Sequence, residues 1–505
     1  MGNADGAGAR RYHERTKHSV QSVRASGHFL DWDIMPRPFK VYPDLEPIPL
    51  PRDLRSAPRP ALAAIADPGA ATGDGPALDR GVLARLLYFS AGVLRRATYP
   101  GGEMFYRAAA CTGALYHIDL YLVCGPLADL DAGVYHFGPH DFALRKLRAG
   151  DHRGAVVQAT GREPATAAAP ALLLFTSTFW RNSWKYQARA YRHCFWDSGT
   201  ILANLLGLAA AVELPARVIL GFVDDDLNRL LDLDPAREVT LGVVALGRGG
   251  APPPAAPPLP PLGLATLPPS AREVDYPAIR EAHAESCLTT PDEAAAWHGS
   301  APPSPDEAAG LSLGPWNADA VAAPIETVIR RRGSMRAFSD EPLGFDQLSA
   351  LLRAVTRGIP ADFTAPGAAL SDPYLIVNAA DGIEPGTYVF DRRRNVLVPL
   401  RAGTFRREAG FLDLGQSLAA KAALNVYWLA DLERALTRFG NRGYRAAQLE
   451  AAIEGGKAYL AAYALGLGAT GLTFFDDEVT AFFSPHAAGK SVMFLVAIGP
   501  GRRRS

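Results

Sequence analysis

The chain has 505 residues, 48% of them apolar and 21% charged, the make-up of a globular protein too long for one ordinary core and long enough for two. Its 52 basic side chains match 52 acidic ones, which argues against a nucleic-acid binder, whose affinity rests on excess Lys and Arg. Cys111, Cys124, Cys194 and Cys287 lack C-x-x-C spacing, so they offer neither a disulfide framework nor a zinc site and read as reduced thiols of a cytoplasmic protein.

Residues 1–60 are polar, aromatic and proline-punctuated, with Phe29, Trp32, Phe39 and Tyr42, and are expected to lie as an extended arm on a domain surface. Met1 to Arg24 carries no long apolar run, so it is not read as a signal peptide. Residues 61–79, rich in Ala and Gly, are expected to be loop. Leu83 to Val93 has the i, i+3, i+4 spacing of an amphipathic helix. Leu115 to Val123 reads as a strand. Gly133 to Phe137 and Phe142 to Leu147 alternate around Gly138-Pro139-His140-Asp141 as a hairpin. Ala171 to Ser177 is another strand, and Asp197-Ser198 offers an N-cap to a helix through Val212. Its uncharged run, Ile201 to Val212, falls short of the ~18–20 residues of a membrane span. Val218 to Val223 and Val239 to Leu246 read as strands. Residues 248–310 contain APPPAAPPLPPLGLATLPPS and APPSPDEAAG, and proline at that density predicts a semi-rigid linker. The organisation expected is an arm (1–60), a first domain (61–247), the linker (248–310) and a second domain (311–500). The C-terminal Arg502-Arg503-Arg504 reads as a solvated tail.

The two domains repeat each other. Gly133-Val-Tyr135-His-Phe137 recurs as Gly386-Thr-Tyr388-Val-Phe390, Arg189-Ala-Tyr191-Arg192 as Arg442-Gly-Tyr444-Arg445, and Phe222-Val-Asp224 as Phe475-Asp-Asp477. Every pair is 253 residues apart. That period is a domain length rather than the roughly 20–50 residues of a solenoid repeat.

Four stretches could carry chemistry. Arg332-Gly-Ser334-Met-Arg336 brings two guanidiniums and a hydroxyl to alternate positions, a composition suited to gripping phosphate, because Arg forks match its oxygens bidentately; a solvated helix end is the plainer reading. Arg107 to Tyr116 contains small residues that let backbone amides approach a flat or anionic ligand, or simply form a tight loop before a strand. Lys185 and Tyr186 are candidate proton carriers if burial or neighbouring Arg189 and Arg192 shift them. Leu465-Gly466-Leu467-Gly468-Ala469-Thr470-Gly471 ends a helix, where glycine caps. It is no dinucleotide fingerprint, which opens a helix after a strand.

In this order, the four stretches resemble the nitroreductase superfamily and, more closely, the SagB-type (ThcOx-like) dehydrogenases, to which the arm sequence RYHERTKHS is also similar. The resemblance implies an α+β fold: two nitroreductase-like domains, each a mixed or antiparallel sheet flanked by helices, packed as an intramolecular pseudo-dimer. It implies FMN bound between halves, its phosphate held by one and its ring covered by the other. The substrate implied is a small molecule or a peptide, in the latter case an azoline oxidised to an azole, with a cyclodehydratase-type biosynthetic partner. Nucleic acid and membrane are not expected as partners. Two positions depart from the family pattern: Gln187 stands where relatives often have Gly, and Cys111 where they usually have Ser.

The copies have decayed in complementary places. Ala66-Asp67-Pro68-Gly69-Ala70-Ala71 replaces the phosphate grip in the first domain, and Arg438-Phe439 replaces Lys185-Tyr186 in the second. One composite FMN site is therefore expected. Arg332, Ser334, Arg336 and Lys490 would hold the phosphate, and Gly468 to Gly471 would approach the ring. Cys111, Thr112 and Gly113 would cover it, with Lys185 as base and Tyr186 as orienting or relaying group. A nicotinamide-dependent nitro- or quinone reductase is the alternative reading, and a flavin-binding scaffold for a biosynthetic partner the second.

Overall fold

In the computed structural model, which describes residues 2–3, 5–67, 75–99, 102–299, 310–314, 317–318, 321–365 and 368–502, each half of the chain is organised around one sheet. The first half supplies β1 (Pro47–Pro49), β2 (Val93–Tyr99), β3 (Gly102–Arg107), β4 (Ile118–Cys124), β5 (Gly133–Gly138), β6 (Ala143–Ala149), β7 (Ala171–Thr178), β8 (Ala216–Ile219) and β9 (Glu238–Leu246). Apart from β2 and β3, which pair only with each other, these form an antiparallel seven-stranded sheet in the order β1-β6-β5-β4-β7-β9-β8. The second half supplies β10 (Leu311–Ser312), β11 (Ser371–Val377), β12 (Gly386–Asp391), β13 (Val396–Ala402), β14 (Leu424–Ala430), β15 (Gly468–Gly471) and β16 (Ser491–Gly499). Their order, β10-β13-β12-β11-β14-β16-β15, repeats the first sheet position for position. The central strands β4, β7 and β14 are buried at every residue, as continuous apolar runs require when helices cover both faces. The expected α+β architecture of two similar domains, each an antiparallel sheet flanked by helices, is the one observed.

The halves meet along their long helices, Ala190–Ala211 and Arg442–Ala464. A Cβ on Gly199 would lie 2.4 Å from the Ala452 Cβ, and one on Gly456 would lie 2.6 Å from the Ala203 Cβ. Glycine at both positions therefore allows the backbones to close together. The stretch Phe179–Ala211 is long and apolar enough to cross a membrane, but its apolar window is wholly buried inside the protein. Asp197 and Ser198 lie in the body of the first long helix, correcting the expected N-cap; the helix starts at Ala190 and Asp197 serves the loop described below.

Two buried ion clusters bind the halves reciprocally. Arg189 and Arg192 reach Asp476 at 3.1 and 2.5 Å, and Arg442 and Arg445 reach Asp224 at 2.6 and 2.7 Å. Each aspartate opens a helix, Asp224–Leu231 or Asp476–Phe483, where the helix dipole favours a carboxylate. Asp224 corresponds to Asp476, an offset of 252 rather than 253. The same offset recurs where Phe175 faces Gly242 and Trp428 faces Phe494. The second half thus lacks one residue between β15 and the helix that Asp476 opens, since β8 and β15 are still 253 apart by their pairing with β9 and β16; the recurring phenylalanine and aspartate letters concealed this.

Three further expectations are corrected. Residues 61–66, expected as loop, form the buried helix Ala61–Ala66; residues 68–74 lie outside the described residues. The arm is not uniformly extended: Ala7–Arg15 is a helix burying Tyr12 and His13, and Phe39 and Tyr42 are buried while Phe29 and Trp32 are exposed. Within the proline-rich stretch, Pro277–Glu285 and Pro291–Trp297 are helices. The first of these repeats the arm helix. Arg192 donates to Thr16 Oγ1 and to the His13 carbonyl at 3.0 and 2.8 Å, while Arg445 donates to Ser286 Oγ and to the His283 carbonyl at 2.8 Å each. Both arms are therefore present, one per half. The cluster Asp224, His283 and Cys287 has metal-like spacing, but the two guanidiniums on Asp224 already neutralise its carboxylate.

Candidate active site between the two halves

The second half contributes the phosphate-grip candidates. Helix Ile325–Arg331 ends at Arg332, whose N–H closes its last turn onto the Val328 carbonyl at 2.9 Å. The chain then runs extended, and Met335 N–H donates to the Ala469 carbonyl at 2.9 Å, tying the segment to β15. A Cβ on Gly468 would lie 2.0 Å from Met335 Cε, so the Met335 side chain packs directly on the glycine and would have to swing aside for a larger residue. Ser334 and Arg336 are exposed, and among the described residues neither forms a hydrogen bond or ion pair. Arg332 behaves differently. Its Nε donates to the Ala108 carbonyl at 2.9 Å and its Nη2 to the Arg107 carbonyl at 3.2 Å, carrying the grip across to the first half. Burial lowers its pKa.

Arg502, exposed as the reading of a solvated tail expected, is tied by its backbone to the segment that follows Arg336. Gly501 bridges to Phe338, and Arg502 N–H donates to the Ala337 carbonyl at 3.3 Å. The signal available in the sequence was position: the tail follows directly on the last strand, which ends beside β15. Lys490 is not in the grip. It precedes β16 at the end opposite Gly499, about 30 Å away at ~3.3 Å per residue, and its Nζ pairs with Asp372 at 2.8 Å. Gly471 is also committed, its N–H donating to the Tyr459 hydroxyl.

The first half contributes the loop Arg107 to His117, and Asp197 organises it. Thr112 donates to Asp197 Oδ1 through its N–H at 2.9 Å and its hydroxyl at 2.7 Å. Cys111 Sγ donates to Oδ2 at 3.0 Å, where His117 Nε2 also lies at 2.9 Å; His117 Nδ1 is 2.8 Å from Ser177 Oγ. Burial first, and then Asp197, raise the Cys111 thiol pKa well above its usual value, so this sulfur is a protonated donor rather than a nucleophile. Asp197, the residue that sequence reading assigned to a helix cap, is the positioning group it missed.

Lys185 and Tyr186 end helix Phe179–Tyr186. A Cβ on Gly113, whose φ is +64°, would lie 2.7 Å from the Tyr186 hydroxyl oxygen, so phenol and loop are in direct apposition. The Tyr186 ring stands edge-on to His193 at 4.6 Å, and Lys185 Nζ is 5.4 Å from its centroid. Burial, then Asp197 and Cys111, push the Tyr186 phenol up, leaving it protonated and able to donate. Arg189 and Arg192, expected to act on Lys185, are instead spent on Asp476. A cleft of about 700 Å³ is walled by Trp180, Ser183, Arg237 and Tyr276; none of the sequence-predicted site residues lines it.

The equivalent location in the other pairing is differently built. Asp67 stands where the grip would begin, and it pairs with Arg357. Phe439 replaces Tyr186 and lies 4.8 Å from Trp297, whose indole N–H donates to the Phe439 carbonyl at 3.0 Å. Glu450 replaces Asp197, and the ion pair between Glu454 and Arg392, at 2.6 Å, occupies the ground held in the first half by Ile201. Burial, with Glu454 beside it, pushes Glu450 up to about 7.

Residues 78–248 and 329–499 each match the nitroreductase family. The "putative nitroreductase" of Methanocaldococcus jannaschii is 30% identical over 164 residues, 31% of this chain and 81% of that protein. The crystal structure of a "putative nitroreductase" from Anabaena variabilis superposes with a TM-score of 0.78 at 26% identity, covering 98% of this chain and 99% of that one. Matched in two tandem copies and along its whole length, the chain is a member of the nitroreductase family of oxidoreductases.

Proposed function

We propose that the protein is an FMN-dependent dehydrogenase of the SagB type, acting on an azoline or related peptide-derived heterocycle at one composite site between its halves. The observation that carries this reading is the bond from Arg332 to the carbonyls of Arg107 and Ala108, which brings grip and loop to one place. The residues present fit the cofactor. Ser334 and Arg336 are an unpartnered hydroxyl and guanidinium beside Arg502, a cationic rim suited to a phosphate. At the other pairing the acidic Asp67 would repel one.

Bound there, FMN would supply the two-electron acceptor. The protein's part is proton handling and orientation. Lys185 would take the ring proton at Nζ. Tyr186 would donate its hydroxyl to the substrate, a role that suits a phenol kept protonated by burial. Asp197 holds the loop, and Gly113 leaves room for Tyr186.

Flavin released from the purified protein tests the reading. About one FMN per chain is expected, lost in the Ser334→Ala/Arg336→Ala variant and kept in Lys490→Ala. Two per chain would refute the single composite site, and none would favour the scaffold. Lys185→Ala should keep flavin and lose azoline oxidation. Turnover of nitroarenes with a nicotinamide, unaffected by Lys185→Ala, would favour the reductase reading instead.

A further inference from the structure

Among the described residues the hairpin β2–β3 has no counterpart in the second half. The preceding helices are 265 residues apart (Arg80 to Phe345), whereas the following strands are 253 apart (Ile118 to Ser371). The first half therefore carries 12 more residues here, and they form a ribbon outside the main sheet. At its base lies a cleft of about 280 Å³, walled by β2, the β5–β6 turn, Tyr88 and the arm residue Arg52; no β3 residue lines it.

Three exposed arginines face this cleft: Arg52, Arg95 and Arg96. Each guanidinium is braced on an aromatic ring, Arg52 over Phe142 at 5.4 Å, Arg95 over Tyr106 at 4.0 Å and Arg96 over Phe105 at 5.3 Å. Arg96 also donates to the His140 carbonyl at 2.9 Å, and Arg52 to the Asp141 carbonyl at 3.3 Å. Among the described residues none of the three has an acidic partner. The one carboxylate in the cleft, Asp141, is taken by Arg145 at 2.6 Å. A guanidinium offers five donors, so fixed cations with spare N–H groups remain. Bracing also means that little side-chain freedom is lost when an anion binds.

We propose that this cleft docks an acidic peptide segment, lying extended along the outer edge of β2. Two features favour a peptide over a small anion. The cations are spread over the arm and the hairpin rather than focused on a point. The outer edge of β2 also offers unpaired backbone N–H and C=O groups, the basis of strand addition. The proposal adds to the reading above a charge requirement on the peptide; binding itself does not depend on that reading.

The test is fluorescence anisotropy of labelled hexaglutamate on the full-length protein, with hexalysine as control. Arg95→Glu/Arg96→Glu is expected to weaken hexaglutamate binding at least about tenfold, as is Arg52→Glu from the other wall. Flavin content should be unchanged in both, since neither touches the grip. A backbone N-methylated hexaglutamate should bind more weakly. Undiminished hexaglutamate binding in the charge-reversed variants would overturn the proposal. So would competition by inorganic pyrophosphate at concentrations as low as those of the peptide, which would mark a small-anion site. Loss of flavin stoichiometry with peptide binding intact would fault the proposed function and leave the docking site standing.

Discussion

Replacing Gly113 by alanine puts a methyl carbon 2.7 Å from the Tyr186 hydroxyl oxygen and holds an L-residue at a φ of +64°. The backbone cost is about 1 kcal/mol, as for other L-residues in the left-handed region. The overlap adds about 1–2 kcal/mol, in the range of overpacking, because the loop is pinned through Thr112 to Asp197 and cannot slide away. In a Tyr186→Phe background the oxygen is gone. The next contacts, Cε2 at 3.2 Å and Cζ at 3.4 Å, are tight but tolerable, so only the backbone cost should remain. A double-mutant cycle by urea unfolding should therefore show Gly113→Ala losing about 2–3 kcal/mol alone and about 1 kcal/mol beside Tyr186→Phe. The coupling of about 1–2 kcal/mol is well above the ~0.5 kcal/mol of non-interacting sites. Additivity within that margin would mean that Tyr186 does not stand over the loop, and the proton-handling geometry would fall with it.

Two further outcomes are expected. Gln187 sits at φ +50°, ψ −140°, and its counterpart Gly440 at φ +64°, ψ −155°; Gln187→Gly should raise stability by about 1 kcal/mol, the strain relieved less glycine's greater unfolded-chain entropy, and an unchanged or lower urea midpoint would contradict it. Asp224 is held down to about 2, against strong desolvation, by Arg442 and Arg445, so its contribution of about 2 kcal/mol is present above the ordinary carboxylate range near pH 4 and lost as pH falls through about 2; Asp224→Asn should cost about 3–5 kcal/mol by stranding two buried guanidiniums and flatten that acid limb, and an acid limb unchanged in the variant would assign it elsewhere.

What could be read from sequence was whatever a short window encodes. Apolar runs such as Ala171 to Ser177 are strands because burial on both faces leaves few alternatives, and the hairpin at Gly138 to Asp141 carries its own turn residues. The duplicated order of elements followed from the repeat. Where a helix begins was less legible. Asp197 looked like a cap because an acid before an apolar run usually is one, and only tertiary placement shows that its carboxylate faces a loop some 85 residues earlier in the chain. The same limit applied to Lys490. Lys490 immediately precedes the strand whose other end, Gly499, pairs with β15 beside the grip, and so sits at the far end of that strand in space.

The complementary decay of the copies has a physical counterpart that no residue count reveals. In the pairing that contains Arg332, the side chains of Ser334, Arg336 and Arg502 have no hydrogen-bond or ion-pair partner among the described residues, and the Tyr186 hydroxyl faces the backbone of Gly113 while its ring packs on His193. In the other pairing the counterparts of Ser334 and Arg336 lie outside the described residues, and the residues around them that are described are engaged internally. Asp67 pairs with Arg357, Trp297 covers Phe439, and Glu454 engages Arg392 and the Trp428 indole. A buried polar group left unsatisfied is costly, so a site that stops binding its ligand is under pressure to fill itself. On the proposed reading, the second location is better described as closed than as empty. Restoring a grip there, for instance by replacing Asp67 with arginine, would not recreate a cofactor site unless the Glu454–Arg392 pair and the Trp297 cover were removed as well.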